Sequence, residues 1–201
     1  MISFGAKIPI AKCKIQNKES GQFENATVYE YTCSDKSDVE KIKRITAKQD
    51  WQFGFDIYND ARWKNYILEK DLDEHSNFVN NTHFYTLENS RRKTIGLCET
   101  QENGSIVVDL FETRAKRKYR FVGQTMLAAL ARKVLDSSTN SFLVIQNALP
   151  KSLDFYKKTC GFGQEIKDGD EIYFVVDKSQ LQPFVDQTEQ RTNGKIISLD
   201  V

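Results

Sequence analysis

The chain is poor in histidine and in paired cysteines, and it lacks long apolar runs and an excess of positive charge. Its two histidines, His75 and His83, have no motif around them. Its four cysteines, Cys13, Cys33, Cys98 and Cys160, are widely spaced and form no CxxC pair. That pattern argues against a metal site or a disulfide framework and for free thiols in a reducing, cytoplasmic setting. No apolar run approaches the length needed to cross a bilayer, so no membrane partner is expected. The opening residues, MISFGAKIPIAKCK, have neither a charged start nor a sustained apolar core, and they do not read as a signal peptide. Positive charge is not in excess either: 29 Lys and Arg against 28 Asp and Glu leave a formal net charge of +1. A general nucleic-acid binder shows a broader surplus, so a nucleic-acid partner is not expected. There is no internal repeat.

What is present suits one globular domain. The chain has 201 residues, of which 39% are hydrophobic and 28% charged, too apolar for wholesale disorder. Its positive charge gathers in one place, within residues 106–135, IVVDLFETRAKRKYRFVGQTMLAALARKVL. This stretch begins as an apolar strand and passes through a loop carrying Arg114, Lys116, Arg117, Lys118 and Arg120. It turns at Gly123 and continues with Leu127, Leu130, Ala131, Val134 and Leu135 at the spacing of one buried helical stripe. The first N–H groups of such a helix lack internal partners, and its dipole places partial positive charge there. Cationic side chains and a glycine beside that terminus predict a site for a polyanion, most naturally a pyrophosphate.

Two motifs carry a resemblance to a known family. Arg120-Phe121-Val122-Gly123-Gln124-Thr125 resembles the Q/R-x-x-G-x-G/A signature of the GNAT-type N-acetyltransferases, with Thr125 where Gly or Ala is usual. Downstream, Phe155-Tyr156-Lys157-Lys158-Thr159-Cys160-Gly161-Phe162 is similar to the family's FY-x-K-x-GF ending, with one extra residue before the glycine. The resemblance implies an α/β (α+β) fold of GNAT type: a mixed, mostly antiparallel sheet with two splayed parallel central strands, flanked by helices.

The local patterns agree with that order over residues 27–178. Thr27 to Thr32 is β-branched and aromatic enough for a strand. Ser34 or Ser37 then caps a helix running to about Lys48, with Val39, Ile42 and Ile45 on its buried side. Strands follow at His83–Leu87, Thr94–Glu99 and Ser105–Thr113, joined by polar turns. After the helix of 123–135, Ser141 to Gln146 is a nearly continuous apolar strand, expected to be buried on both faces. A helix from Pro150 to Gly161 and a hairpin of 162–166 with 171–176 complete the unit. Residues 1–26 read as an extension packed on or near the domain, and 179–201 as a tail with a polar linker and an apolar end. The aromatics of segment 51–66, Trp63 among them, read either as core or as an acceptor-binding wall.

The resemblance also assigns roles. Acetyl-CoA would be the co-substrate, with no metal. Its pyrophosphate would lie on Tyr119, Arg120, Phe121, Val122, Gly123, Gln124 and Thr125. Its pantetheine would lie along Phe111, Glu112 and Thr113, with Asn147 across the splay. Tyr156 would protonate the departing thiolate, since a phenol lies slightly above a thiol in pKa. Glu112 is the first candidate for the general base and Glu99 the second; the histidines remain further choices. The implied partner is an amine-bearing small molecule, peptide or protein, and a homodimer is compatible with the fold. A non-catalytic acyl-CoA-binding module and a toxin-like aminoacyl-tRNA acetyltransferase stand as alternative functions.

Overall fold

The computed structural model describes residues 7–32, 35–47, 81–113 and 118–199. The aromatic segment 51–66, His75, Cys33 and the basic residues Arg114, Lys116 and Arg117 lie outside the described residues.

The chain opens with β1 (Ile8–Asn17), β2 (Phe23–Thr32) and α1 (Lys36–Ala47). A meander of β3 (Thr82–Asn89), β4 (Thr94–Glu102) and β5 (Ile106–Thr113) follows. Then come the short β6 (Tyr119–Arg120), helix α2 (Val122–Asp136) and β7 (Phe142–Ile145). A 3₁₀ turn at Pro150–Ser152 and a π-helical segment at Phe155–Cys160 lead to β8 (Ile166–Asp168) and β9 (Glu171–Asp177). Helix α3 (Lys178–Thr192) and β10 (Ile197–Ser198) close the chain. The sheet runs β10-β1-β2-β3-β4-β5-β7-β9-β8, with β6 also paired to β1. Only β5 and β7 pair in parallel among the described strands.

One face of the sheet packs on α2 and α3. Met126, Leu127, Leu130, Ala131 and Val134 of α2 are fully buried there, against Val28, Tyr85, Leu87, Cys98 and Val108. Fully burying a side chain of this size contributes about 1.5–3 kcal/mol. Gly96 lets the helix come this close, because a Cβ on it would lie 2.9 Å from the Met126 sulfur. The alternate residues, Phe84 and Leu97, point to the other face and are as deeply buried, as are Tyr31 of β2 and Ile42 of α1.

Four expectations need correction. Residues 8–17 are not peripheral to the sheet: β1 lies within it, bonded to β2, β6 and β10. Its alternation explains why, for Ala11, Cys13 and Ile15 are all buried. The segment expected as a polar linker is α3, which starts with a capping box between Asp177 and Gln180. Its Leu181, Phe184 and Val185 are at most 3% exposed, so its few apolar residues all share one face. Strand β7 is buried on one face only: Leu143 and Ile145 point inward while Phe142 is 41% exposed. The helix expected from Pro150 to Gly161 is broken into a 3₁₀ turn and a π-helical segment, and β8 starts only at Ile166.

Candidate active site

The site begins where two parallel strands part. Ile106, Val107 and Val108 of β5 pair with Leu143, Val144 and Ile145 of β7. The Gln146 amide then donates to the Val108 carbonyl at 3.0 Å. Beyond it the chain turns away: Asn147 takes a left-handed φ of 52°, and the Ala148 amide donates to Ile172 of β9. Strand β5 keeps its other partner, since residues 110–113 still pair with Glu99 through Gly96 of β4. The register slips at this point, with Thr100 opposite Val108 but Glu99 opposite Leu110. Asp109 is therefore the extra residue of a bulge, which adds twist and a bend to β5 where its pairing with β7 ends. Past Val108, no described strand lies against that edge of β5, and its main-chain groups can bond an extended ligand there.

The second wall is the start of α2. Phe121, its N-cap, has φ 66° and ψ 7°, and no side chain caps the helix. A left-handed residue followed by helical ones turns successive N–H groups toward one point, a concavity suited to an anion. The first intrahelical bond, from the Thr125 amide to the Phe121 carbonyl at 2.8 Å, leaves the amides before it facing outward. A bulky residue in this region costs about 1–3 kcal/mol, and such strain collects at ligand clamps. Gly123 is placed in contact with two rings, for a Cβ on it would lie 3.1 Å from Phe155 Cζ and 3.5 Å from Phe111. An uncapped helix start, a concave turn and a glycine fit a pyrophosphate.

The residues of the first motif divide by side chain. Arg120 is exposed beside the helix start, and Val122 and Gly123 are half-buried. Gln124 and Thr125 point inward: the Gln124 amide donates to the Thr159 carbonyl at 3.4 Å, and the Thr125 hydroxyl to the Lys14 carbonyl at 3.4 Å. Gln124 thus keeps only its main-chain amide for the helix start, while Thr125 spends its hydroxyl on β1 and its amide on Phe121. The Tyr119 hydroxyl is also engaged elsewhere, with Asn89 and Glu24.

Around the splay, Phe111 packs on the α2 side and stacks on Phe155, with centroids 6.5 Å apart and planes at 15°. Glu112 stands opposite Leu97, and so faces the side away from α2, together with Glu99. Thr113 ends β5 opposite Gly96. Tyr156 lies on the α2 side, 5% exposed, against Phe155, Phe162 and Phe174. Burial pushes its phenol above the usual tyrosine range, so it stays protonated. Cys98 and Cys160 lie near it, and burial raises both thiols as well. A buried thiol held protonated is a poor nucleophile.

The extra residue of the second motif has a structural counterpart. In the π-helical segment the Gly161 amide bonds back to the Tyr156 carbonyl, one residue further than in an α-helix. The wider turn accommodates one more residue between Tyr156 and Gly161 than an α-helical turn would.

One cluster was not legible in the sequence. Oxygen or nitrogen atoms of Glu30, His83 and Glu102 lie within 4.8 Å of one another, a spacing that could suit a metal. The Lys133 ammonium stands among them, 3.2 Å from Glu30 and 3.0 Å from Glu102, and 2.5 Å from the Tyr85 hydroxyl. His83 Nδ1 meets Glu30 at 2.6 Å. The centre is already filled by a cation of the chain, and these residues come from β2, β3, β4 and α2, with no common motif.

No protein-family model matches the sequence, and no curated protein matches it. Solved structures do match the fold. A PaiA N-acetyltransferase from Thermoplasma acidophilum, in complex with coenzyme A, is 14% identical with a TM-score of 0.50; the match covers 76% of this chain and 98% of that one. FdhC, a nucleotide-linked sugar GNAT, is 10% identical with a TM-score of 0.52, covering 90% and 97%. An uncharacterized protein from Bacillus halodurans is 10% identical with a TM-score of 0.57, covering 92% and 99%. These are likenesses of fold.

Proposed function

We propose that this chain, which has the GNAT fold, is an N-acetyltransferase that moves the acetyl group of acetyl-CoA to a primary amine by direct attack in a ternary complex. The observation that carries the reading is the coincidence of two features at one end of the sheet. Strands β5 and β7 part after Val108, and the uncapped start of α2 lies beside the gap. The main chain of Phe111, Glu112 and Thr113 offers an edge for a pantetheine, and the amides of 121–124 a seat for its pyrophosphate. Arg120 stands exposed at the rim, where it can meet the phosphates. Asn147, exposed at the bend where β7 ends, is the residue on the other strand that would meet the pantetheine.

The alternation along β5 suggests a division of labour. Glu112 and Glu99 face one side of the sheet and Tyr156 the other. The amine would approach from the carboxylate side and lose a proton to Glu112, directly or through water. Its nitrogen then forms a bond to the acetyl carbon as the carbon–sulfur bond breaks. Negative charge on the carbonyl oxygen can be met by a main-chain N–H at the open edge of β5. The sulfur takes its proton from Tyr156, which burial keeps as the phenol. The buried thiols argue against an acyl-cysteine route.

The test is release of free thiol from acetyl-CoA across a panel of polyamines, aminoglycosides, amino acids and peptides. Turnover with any of these supports the enzyme reading. Binding of acetyl-CoA without turnover of any amine would make the chain an acyl-CoA-binding module instead.

A further inference from the structure

Strand β1, read from the sequence as part of an extension packed on or near the domain, is bonded to the loop that starts the proposed anion site. Gln16 and Asn17 of β1 pair with Arg120 and Tyr119 of β6, the two residues just before the Phe121 turn. The Lys18 amide adds a bond to the Lys118 carbonyl at 2.8 Å. Main-chain pairing over so few residues is weak by itself. It is reinforced by side chains from two other strands that converge on the Tyr119 hydroxyl. Asn89, at the end of β3, donates its side-chain amide to that hydroxyl at 3.0 Å. The hydroxyl donates to Glu24 of β2 at 3.4 Å. Glu24 is held in turn by the side-chain amide of Asn17 at 2.9 Å and the Ser90 hydroxyl at 3.5 Å. Asn89 is 6% exposed, and its carbonyl oxygen accepts from the Arg91 and Lys93 amides at 3.0 Å each, so it too is fixed.

We propose that Tyr119 and Glu24 are positioning residues for the pyrophosphate site: they lock β6 onto the first hairpin and so hold the strained Phe121 turn in the conformation that aims its amides at the anion. The physical case rests on the strain. A left-handed phenylalanine persists only where its surroundings over-determine it. On one side it is continuous with α2, whose first turn is anchored by Thr125 on β1. On the other side the anchor is β6, whose tyrosine hydroxyl is tied to β2 and β3. Without that anchor the turn can relax to an ordinary φ, and its amides no longer converge. The effect belongs to the pyrophosphate alone, because the edge of β5 that would hold pantetheine is bonded to β4 and makes no use of the lock. This inference rests on the proposed acetyl-CoA reading.

The experiment compares two probes, CoA and pantetheine, which share the thiol arm and differ in the pyrophosphate and nucleotide. Binding of each is measured by calorimetry on wild type, Tyr119→Phe, Glu24→Ala and Glu24→Gln. Loss of one such hydrogen bond is expected to lower the preference for CoA over pantetheine about five- to tenfold in Tyr119→Phe and in Glu24→Ala. Glu24→Gln keeps an oxygen to accept from the hydroxyl and should retain most of the preference. Pantetheine affinity should stay within about twofold in every variant that melts cooperatively. A CoA preference unchanged in folded Tyr119→Phe overturns the positioning role while leaving the acetyl-CoA reading standing. Equal losses for both probes would reduce the lock to a general structural contact and overturn it too. Failure of wild type to bind CoA at all would remove the functional reading and this inference together.

Discussion

The tip of the Phe155 ring, Cζ, lies 3.1 Å from where a Cβ on Gly123 would sit. The start of α2 and the π-helical segment thus touch at Gly123, beside the proposed anion site. Because the contact is with a ring tip, which can give by a few tenths of an ångström, substitution at Gly123 should leave the fold intact. Gly123→Glu would add a like charge at the proposed pyrophosphate. Wild type is expected to gain about 2.7 kcal/mol of stability at a hundredfold excess of acetyl-CoA over its dissociation constant. Gly123→Glu should melt cooperatively without ligand and lose most of that gain. A shift equal to wild type would move the cofactor elsewhere.

Tyr156→Phe removes one hydroxyl from a ring packed on three aromatic neighbours. Acetyl-CoA affinity should survive, while turnover with an accepted amine should fall about 10²–10⁴-fold, the usual contribution of a general acid. Because burial lifts the phenol above its ordinary value, it stays protonated through the range where lysine-like amines lose their protons. The wild-type rate should therefore show no alkaline fall owing to Tyr156 below about pH 10. A loss of less than about threefold in the variant would return Tyr156 to a packing role.

The Lys133 cluster makes an acid-stability prediction. Burial opposes the charge of Glu30, but its bond to His83 and the nearby Lys133 ammonium outweigh this and hold its carboxyl below the usual range. A carboxylate lowered on folding contributes stability that is complete above its unfolded value, about 4.3, and lost as pH falls through the folded one. Glu30→Gln should flatten the acid limb of a stability–pH profile measured by urea unfolding. Lys133→Ala leaves two part-buried carboxylates without their ammonium. It should cost about 3 kcal/mol at neutral pH, the low end for a broken buried pair because Lys133 is 28% exposed. A loss below about 1 kcal/mol would class it with surface ion pairs.

Helix α3 makes the simplest stability test. Phe184 is 3% exposed and meets the Phe162 ring edge-on, with centroids 4.9 Å apart. Phe184→Ala should cost about 3–5 kcal/mol, and Leu181→Ala about 2–5 kcal/mol, in denaturant unfolding. Costs under about 1 kcal/mol would return 178–192 to the status of a detachable tail.

Much of the fold was legible because it is written in short-range patterns. The stripe of Leu127, Leu130, Ala131 and Val134 marks α2, and Gly123 marks its start, whatever the rest of the chain does. The meander of β3, β4 and β5 is equally local, with polar turns between apolar runs. By contrast, residues 8–17 read only as part of an extension, because the alternation of Ala11, Cys13 and Ile15 is made of small or weakly marked residues. Helix α3 was missed for a related reason: its polar residues outnumber the apolar ones, and Leu181, Phe184 and Val185 gain meaning only against Phe162 and α2.

The sequence by itself determined the run from β3 to α2, the helix start that suits an anion and the tyrosine that follows it, since each depends on neighbours within a few residues. Tertiary structure alone decided how these meet. The bulge at Asp109 appears only in the pairing of β5 with β4, and the opening after Val108 only in the departure of β7. That Tyr119 spends its hydroxyl on Glu24 and Asn89 could not be read from either motif, because those partners lie 95 and 30 residues away along the chain. Hydrogen bonds of that span form only once the sheet has brought β2, β3 and β6 together, and no local pattern encodes them.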